Sequence, residues 1–488
     1  MIWLQGFSQT ILILSLSVLP LSLHAQVLHK TFGFNAQETE PEMGLASNTV
    51  TDIVNTTNAL WFGTGRGLSK TEDDGLTFLS FGTDQGLGRG GVSAIDVSDE
   101  VVWVATGFDS LTDFGSMQTG GGLAYSLDLG ATWNFVEQPG GTPVSNITFD
   151  IALRGEEVWI TSFGGGLRKS TDLGVTWEIV TPDSFLFDPL GQLNHRAFSV
   201  INANGTLWVG TAGGINRSTD GGATWTNFNH QNQDSPISGN FVVALAQQLF
   251  GGREIIWAGT RETTVESGDT TEFRGVSWSD DQGFSWRTSL RGETVHNIAF
   301  DDSVVYAASN KGLFKSNDFG ETWLLFPNVE DPTGTLRILA NEVFDAEVVA
   351  GHTLWAGTAN GLGKTRDNGA TWQIFQVFPP TGEDGEPRTY AYPNPFSPSV
   401  HNQLNGLGHV RFQYNTIGQT RITLKIYDFA MQHVFTVVDN EARPANGDFY
   451  ETWNGLNGRG EQVDNGVYFY RIELEGDGAF WGKLIVLN

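Results

Sequence analysis

The sequence predicts an all-β protein, in which a seven-bladed β-propeller is followed by a small β-sandwich. Two observations carry this prediction. A box of the form S/T-x-D-x-G-x-T/S-W/F occurs seven times, starting at residues 71, 126, 170, 218, 279, 316 and 365. The starts are on average 49 residues apart, which is the size of one four-stranded propeller blade. The chain also has 61 glycines against 16 prolines, which suits an array with many tight turns.

An apolar, β-branched segment precedes each box. The seven segments are LWFGT (60–64), VWVAT (102–106), VWITS (158–162), LWVGT (207–211), IWAGT (256–260), VYAAS (305–309) and LWAGT (354–358). Another apolar run lies upstream, such as VSAIDVS (92–98), and another follows the box, such as WEIV (177–180). These patterns predict strands, so each repeat is expected to supply one four-stranded blade. Seven blades can close a ring that leaves no long sheet edge exposed.

The box is expected to form the hairpin between the third and fourth strands of a blade. In the copy at 217–225, Asp220 can accept backbone N–H bonds within its own turn, Gly222 can adopt a positive φ, and Trp225 can pack between neighbouring sheets. The box acids are therefore assigned a structural role: Asp73, Asp128, Asp172, Asp220, Asp281, Asp318 and Asp367. A basic residue before the box hydroxyl is expected to be solvated or salt-bridged in five blades: Lys70, Lys169, Arg217, Lys315 and Lys364.

On these seven boxes, the segment from about residue 47 to 378 resembles the Asp-box (BNR) repeat propellers. The resemblance implies a seven-bladed propeller. It leaves the function open, because the repeat occurs in sialidases, xyloglucan-type glycosidases, photosystem-assembly factors and sorting receptors. A sialidase mechanism is disfavoured, since that family uses a tyrosine nucleophile and an arginine triad. The only propeller tyrosines, Tyr125 and Tyr306, both occupy repeat columns on strands.

Composition excludes several classes of function. The formal net charge is −28 and the pI about 4.5, which argues against nucleic acid as a partner because phosphates require a basic face. The absence of cysteine excludes disulfides, thiolate metal sites and cysteine nucleophiles. No HExxH motif, phosphate-binding loop or histidine pair at ligand spacing occurs. We therefore expect neither a metal nor a cofactor.

The amino-terminal segment predicts export. An apolar run from Ile11 to Leu23 precedes Ala25, a plausible last residue before a cleavage site, so residues 1–25 are interpreted as a signal peptide. The alternative is an uncleaved anchor. No later stretch is long and apolar enough to cross a bilayer, so the mature chain is expected to be secreted or bound at the cell surface. The propeller would occupy 26–378, and either 27–34 or 372–378 could supply the outer strand of the last blade.

Long connections predict where a ligand binds. Those at 107–122, 181–196, 229–240 and 261–275 should all emerge on the face opposite the boxes. They carry the ligand-face candidates Asp109, Asp113, His195, Arg196, Asp234, Arg261, Glu262, Glu266, Asp269 and Arg274. These residues favour a binding surface for a glycan or a protein. A pair of the carboxylates could instead serve as acid and base of a glycoside hydrolase, sialidase-like or xyloglucanase-like.

After a Pro/Gly/acidic linker at 379–389 the repeat ends, and alternating apolar residues in 390–488 predict a β-sandwich. Its motifs are YPNPF (392–396), IYD (426–428), WNG (453–455), GVYFY (466–470) and GKLIV (482–486). They resemble the FlgD-type Ig-like module and the type A sorting domain of the type IX secretion system. The resemblance implies that the secretion machinery is a partner. It leaves open a cleaved sorting signal or a permanent Ig-like module.

Together these patterns predict an exported binding or interaction protein with a carboxyl-terminal sorting module. A glycoside hydrolase acting at the loop-rich face is the alternative. The two hypotheses differ in what the loop carboxylates do, since a hydrolase needs two of them at a set separation.

Overall fold

The computed structural model describes residues 42–98, 101–112, 115–140, 145–261, 272–334, 336–382 and 386–488. In these ranges the chain forms nine antiparallel sheets and no α-helix, and strands make up 53% of the described residues. The predicted fold class, an all-β protein with a seven-bladed propeller, is confirmed. The predicted signal peptide (1–25) and the segment 27–34 lie outside the described residues.

Seven of the sheets are the blades, each built from four strands that are consecutive in the chain. Blade one contains β2 (Val50–Asn55), β3 (Leu60–Thr64), β4 (Gly67–Thr71) and β5 (Leu79–Phe81), with β1 (Glu42–Met43) paired outside β5. Blade two contains β6 (Gly91–Ser98), β7 (Val101–Thr112), β8 (Gly115–Ser126) and β9 (Asn134–Val136). Blade three contains β10 (Thr148–Arg154), β11 (Glu157–Ser162), β12 (Gly166–Ser170) and β13 (Glu178–Val180). Blade four contains β14 (Ala197–Ala203), β15 (Thr206–Thr211), β16 (Gly214–Ser218) and β17 (Thr226–Phe228).

Blade five contains β18 (Phe241–Phe250), β19 (Arg253–Arg261), β20 (Gly275–Ser279) and β21 (Arg287–Ser289). Blade six contains β22 (Val295–Asp301), β23 (Val304–Ser309), β24 (Gly312–Ser316) and β25 (Leu324–Leu325). Blade seven contains β26 (Val343–Val349), β27 (Thr353–Thr358), β28 (Gly361–Thr365) and β29 (Gln373–Phe375). Short 3-10 helices cover Thr83–Gln85 and Leu193–His195. The first strands of all seven blades line a central channel with a cavity of about 530 Å³.

Each box turn is closed by its own aspartate. In blade four, Asp220 Oδ1 accepts bonds from Thr224 N (2.9 Å) and Ser218 Oγ (2.8 Å), and its Oδ2 accepts one from Thr224 Oγ1 (2.5 Å). Ser218 Oγ in turn accepts a bond from Gly222 N (2.8 Å). The six other boxes repeat these bonds, because the same residue types stand at the same spacing.

The box turn also locks neighbouring blades together. Gly222 of blade four has a φ of 89°, and a Cβ added to it would lie 2.5 Å from the Trp159 indole of blade three. Trp225, at the end of the box, meets the same indole edge-on with ring centroids 6.3 Å apart. The other glycine and ring pairs are Gly130 with Trp61, Gly174 with Trp103, Gly283 with Trp208, Gly320 with Trp257, Gly369 with Phe326 and Gly75 with Trp355. The boxes therefore form the contacts between blades on this face.

The basic residue before the box adds a second contact between blades. Lys70 is salt-bridged to Glu72, which was one of the two expected environments, but its ammonium also donates to Leu129 O in the box turn of blade two (3.0 Å). Lys364 of blade seven donates in the same way to Asp74 O of blade one (2.6 Å). Both cations lie over the indole of their own second strand. Sequence reasoning did not predict this bridging role.

Side-chain contacts between blade seven and blade one close the propeller ring. Asn48 forms two bonds with Val377, from its Nδ2 to Val377 O and from Val377 N to its Oδ1, both 2.6 Å long. Trp355 packs in one cluster with Ile53 and Phe62. The outer strand of blade seven is β29, within 372–378, whereas β1 pairs with blade one. Within the described residues, no strand is exchanged between the first and last blades.

The two remaining sheets form a carboxyl-terminal sandwich around one shared core. One sheet consists of β30 (Thr389–Tyr392), β31 (Val410–Thr416) and β34 (Gly447–Trp453). The other contains β32 (Thr420–Tyr427), β33 (His433–Arg443), β35 (Gly466–Leu474) and β36 (Gly478–Val486), in the order β33-β32-β35-β36.

The three-stranded sheet packs on blades six and seven. Arg411, which is 1% exposed, donates from its Nη2 to Asn360 Oδ1 (2.5 Å) and Arg337 O (3.1 Å). Its guanidinium lies over the rings of Phe378 and Tyr450. Asn360 follows the second strand of blade seven, so the sandwich covers part of the face opposite the boxes.

Replacing Gly222 by alanine tests the lock between blades. We expect Gly222→Ala to lower the free energy of unfolding by about 1–3 kcal/mol more than Gly251→Ala, because the new methyl would overlap the Trp159 ring. Gly251 also has a positive φ, but no atom lies within 4 Å of an added Cβ, so it controls for backbone strain alone. Equal losses in denaturant unfolding monitored by circular dichroism would contradict the lock.

Candidate functional site

The face opposite the boxes carries the long connections, because successive turns of an antiparallel blade emerge at alternate ends. The segment 107–122 was expected to be a loop, and this is wrong. It extends β7 and β8 into a hairpin arm, in which Asp109 pairs with Gln118 and the hydroxyls of Ser110 and Thr119 lie 2.6 Å apart. Asp109 is exposed on this arm. The Gly, Ser and Thr content of the segment hides the alternation that marks a strand.

The connection 181–196 is folded around a buried histidine. His195 is 2% exposed, and its Nδ1 accepts a bond from Asp188 N (2.9 Å) while its Nε2 lies 3.0 Å from Asp183 Oδ1. This pattern assigns the proton to Nε2. Burial pushes the pKa of Asp183 upward, but the bonds from His195 and Phe185 N outweigh it and hold that pKa below its usual value. His195 therefore clamps the connection from inside.

Arg196 fixes the same connection from the other side. Its Nε donates to Pro189 O (2.6 Å) and its Nη2 to Leu190 O (2.8 Å), while the guanidinium lies 5.2 Å from the centre of the Phe163 ring. The sequence placed His195 and Arg196 among the ligand-face candidates. The structure shows that the bonded polar atoms of both side chains hold this connection in place, and contact of either residue with a ligand stays a prediction.

This clamp displays apolar side chains to solvent. We call the four exposed ones the apolar loop surface: Phe185, Leu186, Leu190 and Leu193. Leu186 is 93% exposed although the amides of Phe185 and Asp188 on either side of it are both hydrogen-bonded. Exposed apolar patches mark interaction sites in folded proteins, and these four side chains lie within nine residues of one hydrogen-bonded connection. The hydropathy of the segment FLFDPL (185–190) does not distinguish exposed from buried positions, so the sequence alone could not predict this surface.

The remaining candidates lie on separate connections. Asp234 is exposed between blades four and five. Arg261 is partly buried, and burial holds its pKa below the usual value while Glu342 opposes the shift. Arg274 donates from its Nε to Gly292 O (2.7 Å) and so supports a turn. Four candidates lie outside the described residues: Asp113, Glu262, Glu266 and Asp269.

The central channel contains carboxylates that sequence reasoning missed. Each one accepts a backbone N–H from the innermost strand of the next blade, where an edge strand has no ladder partner. The bonds run from Ile53 N to Asp345 (2.5 Å), Ile95 N to Asp52 (2.7 Å), Leu153 N to Asp96 (2.7 Å) and Val200 N to Asp150 (2.8 Å). Leu245 N continues the series by donating to Ser199 Oγ (3.1 Å). An acid recurs in the first strands of blades one, two, three and seven, as in TDIV, AIDV, FDIA and FDAE, and this recurrence was the available signal.

Burial in the channel raises the pKa values of these acids. It raises the pKa of Asp96 to about 7 and that of Asp150 to about 6, against the bonds from backbone amides. Burial and the neighbouring Asp150 raise the pKa of Asp52 to about 7. Glu347, deeper along β26, reaches about 8 because of burial and Asp52. Asp52, Asp96 and Asp150 therefore accept bonds between blades and also have pKa values raised towards neutral pH.

The described residues show neither a metal centre nor a membrane-spanning helix. No group of three or more His, Asp or Glu among them is placed to hold a metal ion. No helix in the same part of the chain is long and apolar enough to cross a bilayer.

Comparison with known proteins supports the fold. No family model matches the chain, and no curated protein matches its sequence. The chain is similar to the GH74 xyloglucanase from Xanthomonas campestris, with 15% identity and a TM-score of 0.50 over 78% of this chain and 59% of that one. It is also similar to an ancestral GH74 enzyme, with 15% identity and a TM-score of 0.51 over 92% of this chain and 63% of that one.

A weaker match is the extracellular domain of a putative hybrid two-component system from B. thetaiotaomicron. Its identity is 14% and its TM-score 0.45, over 78% of this chain and 45% of that one. This chain thus spans between 45% and 63% of the three structures. At 15% identity, the similarity to the two GH74 enzymes shows a shared propeller fold and carries no activity across.

The channel acids predict that stability depends on pH. A carboxyl whose pKa is raised on folding stabilises the folded chain below its usual pKa, and this contribution is lost as the pH rises through the folded value. We therefore expect the Tm to fall between about pH 5 and pH 8, and Asp150→Asn to lose less free energy of unfolding over that range than the wild type, by about 1–1.5 kcal/mol.

The control is Asp220→Asn in a box turn. Bonds from Thr224 lower the pKa of Asp220 to about 2, so this carboxyl does not titrate in the same window. Its variant should shift the Tm by a similar amount at every pH from about 5 to 8. An unchanged slope in Asp150→Asn, measured by calorimetry, would contradict the assignment of the channel acids.

Proposed function

We propose that the protein is an exported binding protein whose loop-rich face takes a protein ligand on the apolar loop surface. The observation that carries the proposal is the clamp of His195 and Arg196 beneath exposed Leu186 and Leu190. A rigid backbone lowers the entropy lost on binding, and aliphatic side chains gain free energy by leaving water. Both properties suit a partner that supplies an apolar segment.

A protein ligand is favoured over a glycan. Three of the four members of the apolar loop surface are leucines, which offer no flat ring for a sugar to stack upon. Catalysis on a glycan has less support. Four of the channel carboxyls with raised pKa values already accept bonds from backbone amides of the neighbouring blade. On the loop face, Asp109 and Asp234 lie on different connections. A glycosidase would require two opposed carboxyls.

Export and sorting complete the proposal. The apolar run from Ile11 to Leu23 supports cleavage after Ala25, and the motif series in 390–488 supports recognition by a secretion machinery. One motif glycine also has a packing role: a Cβ on Gly482 would lie 2.1 Å from Tyr470 Oη, so glycine is required there by the fold as well. The sandwich thus serves as a folded module.

The binding proposal is tested by peptide selection. A phage-displayed random peptide library is selected on the wild-type protein, and the affinities of the selected peptides are measured by titration. We expect hydrophobic peptides whose affinity falls about tenfold or more in Leu186→Ser and Leu190→Ser, because each change removes a leucine from the contact.

Leu76→Ser is the matched control, since Leu76 is 82% exposed but lies in a box turn on the opposite face. It should leave peptide affinity unchanged. Equal losses in the control, or no peptide that depends on Leu186 and Leu190, would overturn the proposal. Hydrolysis of a xyloglucan oligosaccharide by the wild type that is lost in Asp109→Asn would favour the glycosidase instead.

A further inference from the structure

The four-stranded sheet of the sandwich has one side turned away from its core. On β32, β35 and β36, the residues that alternate with the buried ones define this outer face. Its twelve positions are Arg421, Thr423, Lys425, Tyr427, Val467, Phe469, Arg471, Glu473, Ala479, Trp481, Lys483 and Ile485. In the ladder, Tyr427 pairs with Phe469, which pairs with Lys483, and Lys425 pairs with Arg471, which pairs with Trp481.

The outer face is basic in a strongly acidic protein. Residues 390–488 contain seven basic and ten acidic side chains, and four of the basic ones but only one acid, Glu473, lie on this face. The remaining chain carries −25 of the total charge of −28. Arg471 pairs with Glu473, whereas Lys425 and Lys483 form no ion pair among the described residues. These two ammonium groups are therefore available to an anion.

Aromatic and apolar side chains lie between the cations. Tyr427 contacts Trp481 with ring centroids 5.5 Å apart, and Phe429 contacts Phe469 at 6.4 Å. Phe429 is 77% exposed and Met431 about half exposed, both in the turn between β32 and β33. Asp428 holds this turn, since its Oδ1 accepts a bond from Gln432 N (2.8 Å). A rigid apolar tip thus projects beside a row of cations.

The acidic propeller lies behind this face. The three-stranded sheet docks on blades six and seven, so the four-stranded sheet is the outer layer of the sandwich. Packed sheets are about 10 Å apart, and the Debye length at physiological ionic strength is about 8 Å. Salt in the surrounding solvent therefore weakens the repulsion between the propeller and an anionic partner at the outer face.

We infer that the outer face, with the turn at 428–432, binds an anionic lipid surface. Lysines held at a membrane surface attract anionic headgroups, and tryptophan prefers the interface between headgroups and acyl chains. A projecting Phe and Met can enter the apolar layer, whereas a binding face for a soluble polyanion needs no such tip. This inference goes beyond the proposed protein-binding site, which lies on the propeller.

The test is co-sedimentation of the full chain with vesicles. We expect binding to vesicles of phosphatidylcholine with phosphatidylglycerol and little binding to phosphatidylcholine alone. Lys425→Gln and Lys483→Gln should each lower the partition coefficient about fivefold, because a lysine near an anionic surface contributes about that factor. Phe429→Ser should lower it further, since the apolar tip is lost.

Two matched controls distinguish binding by the outer face from a general effect of losing one positive charge or one exposed apolar side chain. Arg66→Gln removes an exposed cation from the propeller, and Ile417→Ser removes a 62% exposed apolar side chain at the other end of β32. Both should bind like the wild type, with unchanged Tm values in all variants. The inference is overturned by equal binding to both vesicles, by equal losses in the controls, or by soluble polyglutamate or an oligonucleotide that competes as well as the anionic vesicles do.

Discussion

The fold depends on one contact that recurs between neighbouring blades. In this contact, an aromatic side chain at the second or outer strand of one blade packs against the box turn of the next blade. The glycine of the box must be a glycine for two reasons, since its φ is positive and the preceding indole occupies the place of a side chain. The aspartate closes the turn that presents this glycine. Because Trp355 and Gly75 make the same contact, the ring closes as its other junctions do, without exchange of a strand within the described residues.

This arrangement decides which surfaces remain free for function. The box face is occupied by contacts between blades, and the channel acids accept amides of neighbouring strands. Blades six and seven are partly covered by the sandwich through Arg411. What remains is the loop face of the other blades and the outer side of the sandwich. Both display large apolar side chains over backbone held by an aspartate, in 181–196 and in the turn at 428–432.

The propeller fold was predictable from the sequence because one motif occurs seven times. Its spacing indicates the size of a blade, and its residues mark the turn between the third and fourth strands. The role of His195 was not, since its partners Asp183 and Asp188 meet it only after the connection folds back. Nor could sequence show that Lys70 reaches Leu129, because that contact crosses from one blade to the next. The contact through which the sandwich docks on the propeller joins Arg411 to residues of the other domain, and the spacing of residues along the chain does not predict it.

Hydrogen–deuterium exchange on the Gly75→Ala variant of the full chain tests the lock most directly. Gly75 belongs to blade one, but a Cβ there would lie 2.8 Å from Trp355 of blade seven. The account predicts faster exchange in β27 and β28 of blade seven as well as in the box turn at 71–78, because the displaced turn no longer supports that indole. Faster exchange confined to the box turn, with blade seven unchanged, would contradict it.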